Sequence, residues 1–230
     1  ATDEDRIQKS TGFIQEFMEL FPQFEHVTFS LIPNSYEILT DKLPEGADAH
    51  QVDQLAYMDE VYRQMAAAGA EIVDFRQTLS DHAQEYIYYR TDHHWTTYGA
   101  YLAYCELIES LGKTPVPLEE MANPTEVTGF YGTYFSKAKL FNAVPDVITY
   151  YDIPVGQVTV NGQPSEGIYA YDRFALRDKY SGLMQGNKGF MEIQSVTNRD
   201  HVEGRTSRIL VIKDSYANSM IPFLITNFSE

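Results

Sequence analysis

The feature that most constrains the fold is a strand, helix, strand pattern in the first third of the chain. Residues 27–33 form an apolar run of strand length, residues 51–68 carry the apolar spacing of an amphipathic helix, and residues 71–75 form a second apolar run. Two strands joined by a helix make a βαβ unit, which pairs its strands in parallel with a right-handed crossover. The pattern therefore predicts an α/β fold with a mostly parallel sheet flanked by helices, and ligands at the carboxyl ends of its strands.

Further elements are predicted on either side of this unit. Apolar periodicity predicts helices over residues 3–21 and 98–111. Residues 86–89 read as a short strand or extended arm, and the apolar run 208–212 as a buried strand. A tight turn carrying a serine and then a short helix follow that last run, an order that raises a hydroxyl onto the rim of a sheet.

The middle of the chain has a different character. Between residues 113 and 170, prolines separate short β-like pieces, and Asn161-Gly162 is typical of a type I′ hairpin turn. We therefore expect one α/β domain over residues 1–230, with a β-rich insertion over residues 113–170 that covers or shapes a site.

The composition excludes several classes of partner. The formal net charge is −16, from 33 acidic and 17 basic residues, whereas nucleic acid and anionic lipid require a basic face. The single cysteine, Cys105, falls within a helical pattern and is expected to act as a small core residue. The sequence starts at Ala1 without a methionine, so we expect an export signal or membrane anchor to have preceded it.

The polar groups best suited to form a catalytic or binding site are concentrated in residues 90–99. Asp92, His93, His94 and Trp95, the only tryptophan, occupy four consecutive positions. A carboxylate and imidazoles beside an indole are an unusual way to fill a core, because each buried polar group would need a partner. They are a common way to build a site, although a His-Trp pair alone is more often a matter of packing.

Ser215, near the end of the chain, supplies a candidate nucleophile. A serine needs a base to remove its proton, and a carboxylate on the other imidazole nitrogen fixes the tautomer of that base. Residues at i and i+2 project to the same side of an extended backbone, so Asp92 and His94 can pair while His93 points away. Taken alone, a serine after a strand is often only a helix cap, and a glycine-asparagine pair only a turn. The candidates for oxyanion donors and substrate contacts are Tyr216, Gly186, Asn187, Trp95 and Arg90.

Together these motifs resemble those of a known family. Residues 91–96, Thr-Asp-His-His-Trp-Thr, match the signature of the DHHW proteins, which occur mainly in Gram-positive bacteria. Residues 179–181, 186–187 and 213–219 resemble later blocks of that family. The family is in turn similar to the alginate O-acetyltransferases AlgX and AlgJ, whose SGNH-hydrolase-like domains carry an Asp-x-His-Trp motif well before an Asp-Ser block.

The resemblance implies a fold and roles for three residues. The fold it implies is an SGNH-hydrolase-like, or flavodoxin-like, α/β sheet, with Asp92 as the acid, His94 as the base and Ser215 as the nucleophile. The order of these residues is the reverse of that in ordinary SGNH hydrolases. Lys213 stands where SGNH proteins typically have glycine, which bears on the oxyanion geometry, and His93 has no assigned role.

The function expected from these features is serine-dependent O-acyl transfer or ester hydrolysis on a cell-envelope or secreted polysaccharide, without a cofactor. The resemblance implies transfer outside the cytoplasm, beside a membrane acyl-transport protein, while the residues alone equally allow an acetylesterase. Two alternatives remain open. One is a metal-dependent hydrolase using Asp92, His93 and His94, with His50 or His82, although three adjacent ligands on one strand cannot all face one ion. The other is a glycan-binding or scaffold module without turnover.

Overall fold

A computed structural model describes residues 3–24, 26–47, 53–121, 124–196 and 207–230. The chain divides into two compact units, residues 1–80 and 81–230, and each unit has its own helices and strands. In the described residues, no helix combines the length and the apolarity that crossing a membrane requires.

The first unit contains the predicted βαβ pattern. Strand β1 (Thr28–Phe29) pairs in parallel with β2 (Glu71–Ile72), and helix α3 (Gln54–Ala67) connects them. The Asp53 side chain caps α3 by accepting a hydrogen bond from the amide of Ala56 at 2.9 Å. The pair is shorter than the two apolar runs of the sequence, and β1 is only half-buried.

The helices of the first unit form its core. Helix α1 (Asp3–Leu20) falls on the predicted range 3–21, and it is followed by the short helix α2 (Ser35–Ile38). Helix α4 (Arg76–Asp81) comes after β2. The side chains that pack together are apolar residues of α1, α3 and the parallel strands. They are Ile7, Ile14, Met18, Val27, Phe29, Leu31, Val61, Met65, Ala70 and Ile72.

The second unit contains two antiparallel sheets. Strand β3 (Pro124–Phe130) pairs with β4 (Asp146–Tyr151). Strand β5 (Val155–Val160) lies between β6 (Gln163–Ser165) and β7 (Met191–Ser195). Strands β3 to β6 lie within residues 113–170, and the status of that range as a β-rich insertion in a single domain stays a prediction.

The turn between β5 and β6 is the predicted hairpin. Asn161 and Gly162 have φ angles of +50° and +75°, the left-handed values that a type I′ turn requires at both central positions. Val160 and Gln163 pair on either side of them. A two-residue turn of this type matches the twist of its strands, so it sets the register of the sheet.

Helix α5 (Thr97–Ser110) packs its buried face into the core of the second unit. Thr96 caps it through its side chain, which accepts from the amide of Gly99 at 3.2 Å. Tyr104 on the buried face lies against Phe223 of helix α7 (Ile221–Leu224), with ring centroids 5.6 Å apart. The remaining helix, α6 (Thr133–Ala138), lies between β3 and β4.

The strand predicted at residues 208–212 is wrong, and residues 86–89 form no strand, which leaves the extended arm that the sequence equally allowed. Residues 208–212 form no strand, and Leu210 and Ile212 are 50% and 74% exposed. Backbone hydrogen bonds join only the start of this segment to residues 229–230, and no described strand lies alongside it. Residues 86–89 are buried from Ile87 onward, but they contribute only one isolated bridge, between Tyr88 and Trp95.

The sheets of the described residues are therefore small and mixed. The fold is α/β in composition, as expected, but one two-residue pair is its only parallel pairing among the described strands. A mostly parallel, flavodoxin-like sheet is not confirmed. The apolar composition of residues 208–212 does not determine whether they join a sheet, because a strand is buried only where neighbouring strands pack beside it.

Candidate active site

The structure brings Asp92, His94 and Ser215 together. The Nε2 atom of His94 lies 2.9 Å from Ser215 Oγ, and its Nδ1 atom lies 2.5 Å from Asp92 Oδ1. Residues 91–94 form a bend rather than a strand. The amide of His94 also donates to Asp92 Oδ1 at 3.0 Å, so the bend closes an i, i+2 gap that an extended backbone would leave open.

Burial and partners define the charge of the Asp92 carboxylate. Asp92 and His94 are 2% and 5% exposed, and Ser215 is half-buried. Burial by itself raises the pKa of Asp92, but the hydrogen bond and charge of His94 and the amide of Thr133 outweigh it and lower the pKa to about 2. The carboxylate is thus ionised at neutral pH and accepts the proton on His94 Nδ1. That tautomer leaves Nε2 with a lone pair facing Ser215.

The start of α6 holds the second oxygen of Asp92. The Thr133 amide donates to Asp92 Oδ2 at 2.8 Å. Gly132 allows this approach, because a β-carbon built there would lie 2.2 Å from both Cβ and Oδ2 of Asp92. Gly132 therefore serves the close contact and not an unusual backbone angle.

Asp146 anchors the bend at residues 91–94, and no feature of the sequence indicated this role. Its fully buried carboxylate accepts from the amides of Arg90 and Thr91 at 2.9 and 2.7 Å, and from the Thr91 hydroxyl at 2.5 Å. The Tyr86 hydroxyl donates to it as well. Four donors on one buried carboxylate fix the backbone that leads into Asp92.

The serine lies on a turn that is tied to the same bend. Ser215 precedes a short 3-10 helix, Tyr216–Ser219. The Trp95 indole donates Nε1–H to the carbonyl of Tyr216 at 2.7 Å, and the Tyr216 hydroxyl donates to the carbonyl of His93. These two bonds cross between the loops and hold the hydroxyl of Ser215 against His94.

Three of the predicted donors and contacts lie in different surroundings from those expected. The amide of Tyr216 already donates to Asp214 Oδ1 at 2.9 Å. Trp95 is completely buried, so it positions the serine turn and offers no face to substrate. The Arg90 guanidinium lies over the Tyr86 ring and 3.6 Å from Asp146 Oδ1.

The glycine-asparagine turn does lie beside the serine segment. Gly186 has a φ angle of +73°, and Asn187 Oδ1 accepts from the side-chain amide of Asn218 at 3.4 Å. Lys213 donates its ammonium to Asn218 Oδ1, and burial lowers the pKa of Lys213. The Lys213 side chain is thus held against the serine turn. The amide group of Asn218 links it to the Gly186-Asn187 turn.

Tyr180 is a second residue at this site whose role the sequence did not indicate. Its ring stacks on the His94 imidazole, with centroids 3.9 Å apart and planes 10° apart. Its hydroxyl donates to the carbonyl of Ser215 at 2.9 Å. A tyrosine in the Lys-Tyr-Ser block has no spacing rule that connects it to either partner.

The metal-site geometry differs from the expectation. Asp92, His93 and His94 each offer a ligand atom, and these atoms lie within 4.8 Å of one another, because the segment is bent. The expectation that adjacent ligands cannot converge is therefore wrong. The donors have other partners, since both His94 nitrogens bind within the triad and His93 Nδ1 lies 2.7 Å from Thr133 Oγ1. His82 pairs with Glu85, and His50 falls outside the described residues.

Comparisons with known proteins agree on the family. The model of the family described as DHHW protein matches residues 27–230. No curated protein matches the chain. A solved DHHW family protein from Eubacterium siraeum aligns with 97% of this chain and 73% of its own, at 23% identity and a TM-score of 0.78. PatB1 of Bacillus cereus aligns with 98% of this chain and 79% of its own, at 20% identity and a TM-score of 0.67.

A further solved structure with similarity to this chain is the O-acetyltransferase domain of Pseudomonas putida AlgJ. It aligns with 64% of this chain and 55% of its own, at 20% identity and a TM-score of 0.48. At such identities the alignments with the DHHW protein and PatB1 establish a shared fold. The family match rests on the sequence itself, and it covers the bend, the glycine-asparagine turn and the serine turn.

Proposed function

This chain belongs to the DHHW family, and we propose that it is a serine-dependent enzyme that moves or hydrolyses O-acyl groups, chiefly acetyl, on a polysaccharide. The observation that carries the proposal is the continuous chain of hydrogen bonds from Asp92 through His94 to Ser215. A buried, ionised carboxylate behind an imidazole, with a hydroxyl in front of it, is the arrangement that activates a serine.

The proposed reaction has two halves. Ser215 Oγ attacks the acyl carbonyl carbon while its proton moves to His94 Nε2, and the leaving alcohol takes that proton as its ester bond breaks. The acyl-serine is then attacked by a sugar hydroxyl or by water, whose proton passes to His94. The bond between the acyl carbon and Ser215 Oγ breaks last, and Oγ recovers the proton from His94. Asp92 stays ionised throughout and stabilises the imidazolium that forms in each half.

One exposed aromatic ring beside the triad supports a carbohydrate acceptor. The ring of Tyr134 is 39% exposed, and its centroid lies 6.4 Å from that of His93, at the edge of the triad. Exposed aromatic faces suit the apolar face of a sugar ring. The activated serine has separate support. One similar structure, PatB1 of Bacillus cereus, is described with a sulfonyl adduct, which is the product expected when a sulfonyl reagent meets an activated nucleophile.

The wider setting belongs to the same proposal. We expect the site to occupy an SGNH-hydrolase-like framework in permuted order, with the base encoded before the serine. We also expect the enzyme to work outside the cytoplasm on a cell-envelope or secreted glycan. Its acyl groups would come from a membrane acyl-transport protein, and water would replace the sugar hydroxyl in an esterase.

The test is ester cleavage by the purified chain and by Ser215→Ala. With p-nitrophenyl acetate, we expect Ser215→Ala to lose most of the rate, on the order of 10³-fold or more. Ser110→Ala serves as a matched control, because the Ser110 hydroxyl donates to a carbonyl in its own helix. Equal rates in the parent and Ser215→Ala would remove Ser215 from the mechanism.

A sulfonyl fluoride provides a second readout that does not depend on the natural substrate. The reagent should add one sulfonyl group per chain, located on Ser215 by peptide mass spectrometry. His94→Ala should slow the labelling strongly, because the hydroxyl then has no base. Labelling at another residue, or at the same rate in His94→Ala, would refute the activated serine.

The metal-dependent alternative keeps one supporting observation, the convergence of Asp92, His93 and His94. Elemental analysis of purified protein tests it. A stoichiometric transition metal, lost together with activity in His93→Ala, would favour metal-assisted hydrolysis over the acyl-serine route.

A further inference from the structure

Tyr180 contacts both the base and the nucleophile segment of the site. It lies on the 3-10 helix Lys179–Gln185 and is buried. One face of its ring covers the His94 imidazole at a centroid distance of 3.9 Å. Its hydroxyl reaches the carbonyl of Ser215 at 2.9 Å. A single side chain thus spans the two catalytic partners.

We propose that Tyr180 is the positioning residue that keeps the His94 ring and the Ser215 backbone aligned for proton transfer. This inference rests on the proposed acyl-serine function. Its contacts are with the His94 ring and the Ser215 backbone carbonyl, so it acts through these two residues.

The geometry explains why a ring is needed at this place. The two hydrogen bonds of His94, to Asp92 and Ser215, both lie at the edge of the imidazole, and they leave tilting of the ring out of its plane unrestrained. Tyr180 covers one face nearly in parallel, and the His93 ring lies 3.8 Å from His94 at a 38° tilt. The stack therefore restrains the tilt that the hydrogen bonds do not.

The stack also bears on the charge that develops during the reaction. When His94 takes the proton from Ser215, it becomes an imidazolium beside the electron-rich face of an aromatic ring. Such a contact stabilises a cation, and the effect grows in a desolvated site. The contribution is specific to the charged state, so it should lower the barrier and leave ground-state binding unchanged.

Tyr180 is itself held from behind. The Tyr89 ring meets it edge-on at 6.4 Å, and Tyr89 packs edge-on against Phe130 at 5.3 Å. On its own helix, the Gly182 carbonyl accepts from the amide of Ala170 at 2.9 Å. The ring thus belongs to a packed layer, as a positioning element requires.

The test compares Tyr180→Phe and Tyr180→Leu with the parent on p-nitrophenyl acetate. Tyr180→Phe keeps the stack and loses the hydrogen bond to Ser215, so we expect kcat to fall about tenfold with KM within about twofold. Tyr180→Leu loses both contacts, so we expect kcat to fall about 100-fold or more. The rate of sulfonylation of Ser215 should fall in the same order.

Tyr169→Phe is the matched control. The Tyr169 hydroxyl is also buried and donates to a backbone carbonyl, that of Tyr151, at 2.8 Å. Both Phe variants should lower the melting temperature alike, but only Tyr180→Phe should lower kcat. This contrast separates a positioning role from a purely structural one.

The outcomes are separable from those of the proposed function. Full activity in Ser215→Ala would refute the acyl-serine route itself, and this inference with it. If Ser215→Ala is inactive while a folded Tyr180→Leu keeps parental kcat, only the positioning role is refuted. Should Tyr180→Leu fail to fold, the two Phe variants decide, and equal kcat in Tyr180→Phe and Tyr169→Phe would overturn the proposal.

Discussion

Replacement of Gly132 by alanine is the most direct structural test of the site. The new β-carbon would lie 2.2 Å from Asp92 Cβ and Oδ2, and 2.6 Å from Asp92 Cγ. Ordinary carbon contacts need about 3.5 Å, so the two groups must separate by about 1 Å. The neighbour is a buried carboxylate, and both of its oxygens have hydrogen-bond partners, His94 and Thr133, so it cannot move without disturbing them.

The expected loss follows from what that movement breaks. A shift of about 1 Å would stretch the bond from the Thr133 amide to Asp92 Oδ2, now 2.8 Å, beyond hydrogen-bond range. It would also disturb the Asp92 contact that orients His94. A misplacement of this size costs about 100-fold in rate, and overpacking costs about 1–3 kcal/mol of stability.

The assay measures kcat/KM on p-nitrophenyl acetate and the melting temperature for Gly132→Ala and a control. Gly167→Ala is that control, because nothing lies within 4 Å of a β-carbon at Gly167 and its φ angle is outside the left-handed region. We expect Gly167→Ala to match the parent, and we expect Gly132→Ala to have a lower kcat/KM and a lower melting temperature. A folded Gly132→Ala with parental kcat/KM would refute the reasoning that Asp92 must stay in place.

Three further perturbations have defined outcomes. Asp92→Asn preserves size but favours the wrong tautomer of His94, so kcat should fall by up to about 10⁴-fold, measured well below the melting temperature of the variant. The pKa of Asp92 in the folded protein, about 2, lies below its ordinary value, so the ionised carboxylate stabilises the fold above pH 4. About 2 kcal/mol of unfolding free energy should be lost as the pH falls from about 4 to about 2. Urea titrations should detect this loss in the parent and not in Asp92→Asn. Asp146→Ala leaves two amides and two hydroxyls without their buried acceptor, so unfolding free energy should drop by about 3 kcal/mol or more, and a drop under 1 kcal/mol would contradict the anchoring role.

The parts of the fold that could be predicted are those encoded locally. Helix α5 follows from its apolar spacing and its Thr96 cap, and the turn at Asn161-Gly162 follows from the left-handed angles those residues tolerate. The βαβ pattern predicted the parallel pair in the first unit. Residues 208–212 have the composition of a buried strand, but composition does not specify whether a partner strand lies alongside.

The candidate site divides in the same way. Asp92 and His94 are two positions apart in sequence, and Ser215 lies on a recognisable turn, so chemistry alone was enough to suggest their meeting. Asp146 and Tyr180 reach the site from distant positions, and no periodicity connects them to it. Contacts of this kind arise from the tertiary path of the chain, which a single sequence does not display.

The bend and the serine turn also explain why the motif is contiguous. His94 provides the base, the next residue, Trp95, binds the carbonyl of Tyr216, and the carbonyl of His93 accepts from the Tyr216 hydroxyl. Three consecutive residues thus contact one turn, through the carbonyl of His93, the imidazole of His94 and the indole of Trp95. A change in the length of this segment would break all three contacts at once. The base is therefore encoded together with the clamp that holds its nucleophile.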